Sequence, residues 1–74
     1  MTTYTDAQGI EREAVFLTWD QVRGILGRDH NGSAEDDRRL VLALRALGAP
    51  PWIDDAEGWI DETGWGLIGP EIAR

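Results

Sequence analysis

The sequence predicts an α+β fold: two helices packed on a small antiparallel sheet with a C-terminal β-hairpin or short meander. Three observations carry this expectation. Two stretches repeat apolar residues at helical spacing, each between a capping residue and a glycine. A short apolar run, Ala14–Leu17, has the length of a strand. The last third is divided by glycines into aromatic-led units too short for stable helices.

The N-terminal segment Tyr4-Thr5-Asp6-Ala7-Gln8-Gly9-Ile10 places β-forming residues on both sides of an Ala-Gln-Gly turn. With Glu11–Leu17 it reads either as a hairpin whose second strand enters the core, or as a frayed tail before a strand at 14–17. Thr18 is a helix N-cap with Gln21 at the capping-box position. Trp19, Val22, Ile25 and Leu26 follow at helical spacing, so a helix over 19–26 is expected, ended by Gly27. Gly24 weakens it by about 1 kcal/mol relative to alanine. Residues 27–32 form a polar turn, within which Asn31-Gly32-Ser33 matches a glycosylation sequon but reads simply as a turn. Ser33 caps the second helix, expected over 34–47, with Glu35, Asp36 and Asp37 at the positive end of its dipole. Leu40, Leu44 and Leu47 line its apolar face, and Gly48, Pro50 and Pro51 stop it.

The last third carries a near-repeat: Trp52-Ile53-Asp54-Asp55-Ala56-Glu57-Gly58, then Trp59-Ile60-Asp61-Glu62-Thr63-Gly64, then Trp65-Gly66-Leu67-Ile68-Gly69. Residues 59–60 and 65–68 read as a hairpin closed by Asp-Glu-Thr-Gly, with Gly64 taking a positive φ. The first unit is open between a third strand and a helical turn starting at Pro51. Pro70 is expected to end the last strand. The expected core is Phe16, Leu17, Trp19, Val22, Ile25, Leu26, Leu40, Val41, Leu44, Leu47, Ile60, Trp65 and Leu67.

With 74 residues the chain is one small domain, residues 1–74, and buries only about 60% of its unfolded surface. There is no cysteine, so neither a disulfide nor a thiolate metal site can staple it. Four tryptophans compensate as core residues, or one or two serve as exposed anchors of a binding face. The absence of cysteine, of a signal-peptide pattern at the N-terminus and of any membrane-length apolar run leads to the expectation of a cytoplasmic protein.

Charge is the most informative bulk property. Fourteen acids face seven basic residues, all arginine, for a net charge of −7. Residues 1–48 hold eight acids and six arginines, whereas residues 49–74 hold six acids and only Arg74. A field of this sign repels nucleic acid and membrane surfaces and draws in basic partners. Solubility alone is the simpler explanation.

Catalytic patterns are missing. His30 is the one histidine, in a glycine-flanked loop with only its sequence neighbour Asp29 as a partner, and there is no nucleophilic cysteine. Thr18, Ser33 and Thr63 occupy caps and turns. The pairs Asp36-Asp37, Asp54-Asp55 and Asp61-Glu62 read as solvated faces. Asp29–Ser33 only superficially resembles a calcium loop, because the glycine falls at the fourth position and the twelfth-position glutamate is absent. No lysine is available for a phosphate loop. The expectation is therefore a binding protein, not an enzyme, with no metal and no cofactor.

Two helices and a hairpin outline a winged helix-turn-helix, but the second helix opens Ser33-Ala34-Glu35-Asp36-Asp37 and would meet phosphate with like charge. The converse fits better. Carboxylates on Asp54-Asp55-Ala56-Glu57 and Asp61-Glu62, held by the tryptophans behind them, can imitate a run of phosphates. The expected contact residues are Asp54, Asp55, Glu57, Asp61 and Glu62, with Glu35, Asp36 and Asp37. The partner is a protein with a basic nucleic-acid-binding groove; no direct nucleic-acid contact, no membrane contact and a monomeric state are expected.

In its net charge, its lack of cysteine and the acid-only stretch from Asp54 to Glu71, the chain resembles the small acidic anti-CRISPR proteins of phages and mobile elements. That resemblance of type implies a single domain that mimics DNA and blocks target binding by a CRISPR effector complex. Two alternatives stand beside it. One is an antitoxin or other partner-binding module using an apolar tryptophan face. The other is a helix-turn-helix regulator using Arg28, Arg38 and Arg39.

Overall fold

A computed structural model describes residues 2–72. It contains strands β1 (Thr2–Thr5) and β2 (Glu11–Thr18), helices α1 (Trp19–Leu26) and α2 (Ala34–Ala46), a 3-10 turn (Pro51–Asp55), and strands β3 (Glu57–Ile60) and β4 (Gly64–Glu71). The four strands form one antiparallel sheet in the order β1-β2-β4-β3. The fold is α+β, with both helices on one face of the sheet.

Local chemistry sets the helix ends. Thr18 Oγ1 accepts from the Gln21 N–H at 3.3 Å, and Gln21 Oε1 accepts from the Thr18 N–H at 2.9 Å, completing the capping box. Gly27, at φ 77°, ends α1 with its N–H on the Arg23 carbonyl. Ser33 caps α2 as expected. That helix ends at Ala46, and Gly48 at φ 88° turns the chain away.

Register decides the two faces of the sheet. Val15 lies opposite Leu67 and Leu17 opposite Trp65. Leu17, Trp65 and Leu67 meet Val22, Leu26, Leu40, Leu44 and Ile53 in the buried core. Residues one step along each strand therefore point away from the helices. These include Tyr4, Arg12, Ala14, Phe16, Trp59, Gly66 and Ile68.

The structure decides two readings that the sequence left open and corrects several others. The N-terminus forms the hairpin, not the frayed tail. Its turn is held by Asp6, whose Oδ1 accepts from the N–H groups of Gln8 (2.9 Å) and Ile10 (3.0 Å). Residues 51–55 form the helical turn. Pro70 does not end β4: the strand runs on to Glu71, and Gly69 and Pro70 together face Glu13 across a β-bulge. A proline, lacking the N–H, is tolerated at such an interruption. Leu47 is 79% exposed because α2 ends one residue earlier. Ile60 is 57% exposed because β3 is an edge strand and no helix overhangs it. Phe16 packs on the far face, while Ala14 and Ile53 are buried in addition to the expected core.

Gly64 has no positive φ. Its need for glycine is steric: an added Cβ would collide with the Leu17 carbonyl oxygen and lie 2.8 Å from Phe16 Cζ. Gly66 and Gly69 follow the same logic. A Cβ on Gly66 would fall 2.6 Å from Trp59 Cζ2, and one on Gly69 would fall 2.7 Å from Trp52 Cε2. The three glycines of β4 thus form the floor for Phe16, Trp59 and Trp52. Two tryptophans of the near-repeat, Trp52 and Trp59, thus lie over glycines of β4.

A candidate acidic binding surface

The eight carboxylates expected at the surface separate into three groups. Asp36 belongs inside and is removed from the contact set. It is 0% exposed. Both of its oxygens accept from the Arg28 guanidinium at 2.7 Å, and Oδ2 also accepts from the Asn31 N–H at 3.1 Å. The Arg28 hydrogen bonds outweigh desolvation and hold the carboxyl at a pKa of about 2. A buried carboxylate with this geometry pins the loop between the helices to the start of α2.

Asp37 also points inward, although it stays partly exposed. Its Oδ1 accepts from Trp65 Nε1 at 3.0 Å and lies 2.8 Å from His30 Nε2. His30 Nδ1 accepts from the Gly32 N–H at 2.9 Å, so the neutral ring carries its hydrogen on Nε2 and donates to Asp37. The His30 side chain is only 3% exposed. The network ties the core tryptophan to the loop and gives the single histidine a structural duty.

Asp54 and Asp61 are exposed but engaged. Asp54 pairs with Arg45 of α2. Asp61 closes the β3–β4 turn: its Oδ1 accepts from Thr63 Oγ1 (2.6 Å), the Thr63 N–H (2.7 Å) and the Gly64 N–H (3.1 Å). Those bonds, the Thr63 hydroxyl first, hold its carboxyl below the usual range. Its carbonyl accepts from Trp19 Nε1 at 3.0 Å, anchoring the turn to α1.

Glu35, Asp55, Glu57 and Glu62 are exposed, and no ion pair involves them among the described residues. Glu35 lies apart, on the first turn of α2. Asp55 and Glu57 flank the start of edge strand β3, and Asp61 and Glu62 flank its end. At about 3.3 Å per residue, the two acidic groups are separated by roughly 13 Å of strand. The surface therefore presents carboxylates at both ends of an open edge, while Asp54, next to Asp55, is paired with Arg45.

The basic side is weaker than the sequence suggests. Arg28 is consumed by Asp36, and Arg23 by Asp20 and Asp29. Arg38 and Arg39 alone are exposed on α2 without an ion pair among the described residues. No group of three or more His, Cys, Asp or Glu side chains is placed to hold a metal among the described residues, and no helix there is long and apolar enough to cross a membrane.

Sequence reasoning missed the other face of the sheet. Trp59 lies over Gly66, its ring centroid 5.1 Å from that of Tyr4 and 5.9 Å from that of Phe16. The alternation Arg12, Ala14, Phe16, Thr18 was the available signal, but it shows only once the strand is extended back to Glu11.

The fold and its surface define a small α+β domain with an acidic rim on an open sheet edge. No protein-family model, curated protein or solved structure matches the chain.

Proposed function

We propose that this chain is an inhibitor or decoy that binds a basic, nucleic-acid-handling protein, and that its target is a CRISPR effector complex whose DNA-binding groove it occupies. The observation that carries this reading is the set Asp55, Glu57 and Glu62. They are exposed, without an ion pair among the described residues, and set on both ends of β3 in a segment with no basic residue between Ala46 and Ala73. Carboxylates without internal partners have no evident task in the fold, and they are attractive to a basic groove. Asp54 and Asp61 add charge while serving local structure. The regulator alternative loses Arg28, which is committed to Asp36.

The test is a gel shift of target DNA by assembled CRISPR effector complexes, with and without this protein, across a salt series. The wild-type chain should suppress the shift of at least one effector type, and suppression should weaken as salt rises. The variant D55N/E57Q/E62Q should lose suppression while its far-UV spectrum stays native. Equal suppression by the neutralised variant would remove the charge-mimicry reading, and no suppression of any effector type would remove the CRISPR target.

A further inference from the structure

The face of the sheet opposite the helices carries a second feature, independent of the carboxylates in its origin. Tyr4 on β1, Phe16 on β2 and Trp59 on β3 meet above β4, where Gly64 and Gly66 have no side chains to lift them. Phe16 and Trp59 are stacked at 23° and Tyr4 is tilted at 43° to Trp59. All three stay partly exposed, and no described element lies over them. Trp59 lies against the sheet over Gly66 and stays partly exposed between Tyr4 and Phe16, and an aromatic ring face is its electron-rich side.

The charges around these rings have one dominant sign. Register places Glu57 opposite Ile68 and Glu71 opposite Arg12, both on the open face. The turn holding Asp61 and Glu62 leads into Gly64 at the other end. Among the described residues Arg12 is the cation of this face, and it is engaged: its Nε donates to the Gly69 carbonyl at 2.8 Å, and its guanidinium lies 4.0 Å from Asp6.

We infer that this aromatic face is the seat for an arginine-bearing segment of the partner, whose guanidinium groups lie on Trp59, Tyr4 and Phe16 between the carboxylates. The inference rests on the proposed basic partner and assigns the surface that grips it. Stacking on a ring favours the planar guanidinium over an ammonium group. A single-stranded nucleic acid also stacks on aromatic platforms, but its phosphates would meet Glu57, Glu71 and Glu62 with like charge. A second copy of the chain would bring the same acids face to face.

The experiment uses the full-length chain, isotopically labelled, titrated with a nine-residue arginine peptide. A nine-residue lysine peptide and an oligothymidylate are run in parallel. The arginine peptide should move the Trp59 indole resonance and the signals of Tyr4, Phe16, Ala14 and Ile68, leaving the buried Trp65 indole in place. It should bind more tightly than the lysine peptide. The variant Y4A/F16L keeps every charge and should bind the arginine peptide on the order of tenfold more weakly. Shifts confined to residues 54–57 and 61–62, with Y4A/F16L binding as wild type, would overturn this assignment while leaving the acidic-surface reading intact. Equal binding of the lysine peptide would overturn the stacking, and a Trp59 response to oligothymidylate would overturn the choice of partner. Failure of the effector test with a positive peptide result would remove the proposed target but not this surface.

Discussion

At position 36 a carboxylate is withdrawn from the surface charge and built into the fold. The bidentate Arg28 pair and the Asn31 N–H lower its pKa from 3.8 to about 2. The folded state then binds fewer protons than the unfolded one between these values, so stability rises with pH across that window. The contribution is complete above about pH 4 and is lost as pH falls through about 2. Asp61, also lowered, adds in the same direction. Melting curves from pH 2 to 5 should show a steep acid limb for the wild type. D36N should melt lower at pH 7 and show a shallower limb. An unchanged limb in D36N would assign the acid sensitivity to other carboxylates. Gly64 is the second residue-scale case. The sequence marks it as special, but the reason is the Leu17 carbonyl and the Phe16 ring, not its φ. The neighbour most crowded is backbone in the adjoining strand, which cannot step aside as a side chain can. Gly64→Ala should therefore cost about 1–3 kcal/mol or more, read by urea denaturation.

At the scale of elements, legibility in the sequence followed the range of the interactions. The starts of α1 and α2 were readable because a cap spans three residues: Thr18 with Gln21, Ser33 with the Asp36 N–H. Thr18→Ala should lower stability by about 1 kcal/mol, measured by thermal or urea melts, because α1 is only eight residues long and carries Gly24. The β-bulge was not readable. It depends on pairing β2 with β4, and the bond from Arg12 to Gly69 joins residues 57 apart in sequence. The acidic rim was legible in part, since Asp55, Glu57 and Glu62 are in fact exposed and without ion pairs among the described residues. Asp36 could not be separated from Asp37 or Glu35 by sequence, because only the fold brings Arg28 onto it. The clustering of Tyr4 and Phe16 with Trp59 was not readable for the same reason: it spans three strands.

For the whole molecule, the net charge of −7 divides between charges the fold uses and charges it does not. Asp6, Asp20, Asp29, Asp36 and Asp54 each face an arginine, and Asp37 faces His30. Asp55, Glu57 and Glu62 form no ion pair among the described residues, and they sit within one short stretch of chain where they repel one another and the nearby Asp54 and Asp61. Replacing them with amides removes no ion pair and lowers the repulsion. The variant D55N/E57Q/E62Q should therefore melt at the same temperature as the wild type or up to about 4 °C higher at low salt. The difference should fade as salt is added, because screening already relieves the wild type. The same acid-to-amide change at Asp36 has the opposite sign, since there it breaks a bidentate pair at a buried carboxylate. A fall in melting temperature for the triple variant would mean that these three acids support the fold, and their place in a contact surface would lose its argument.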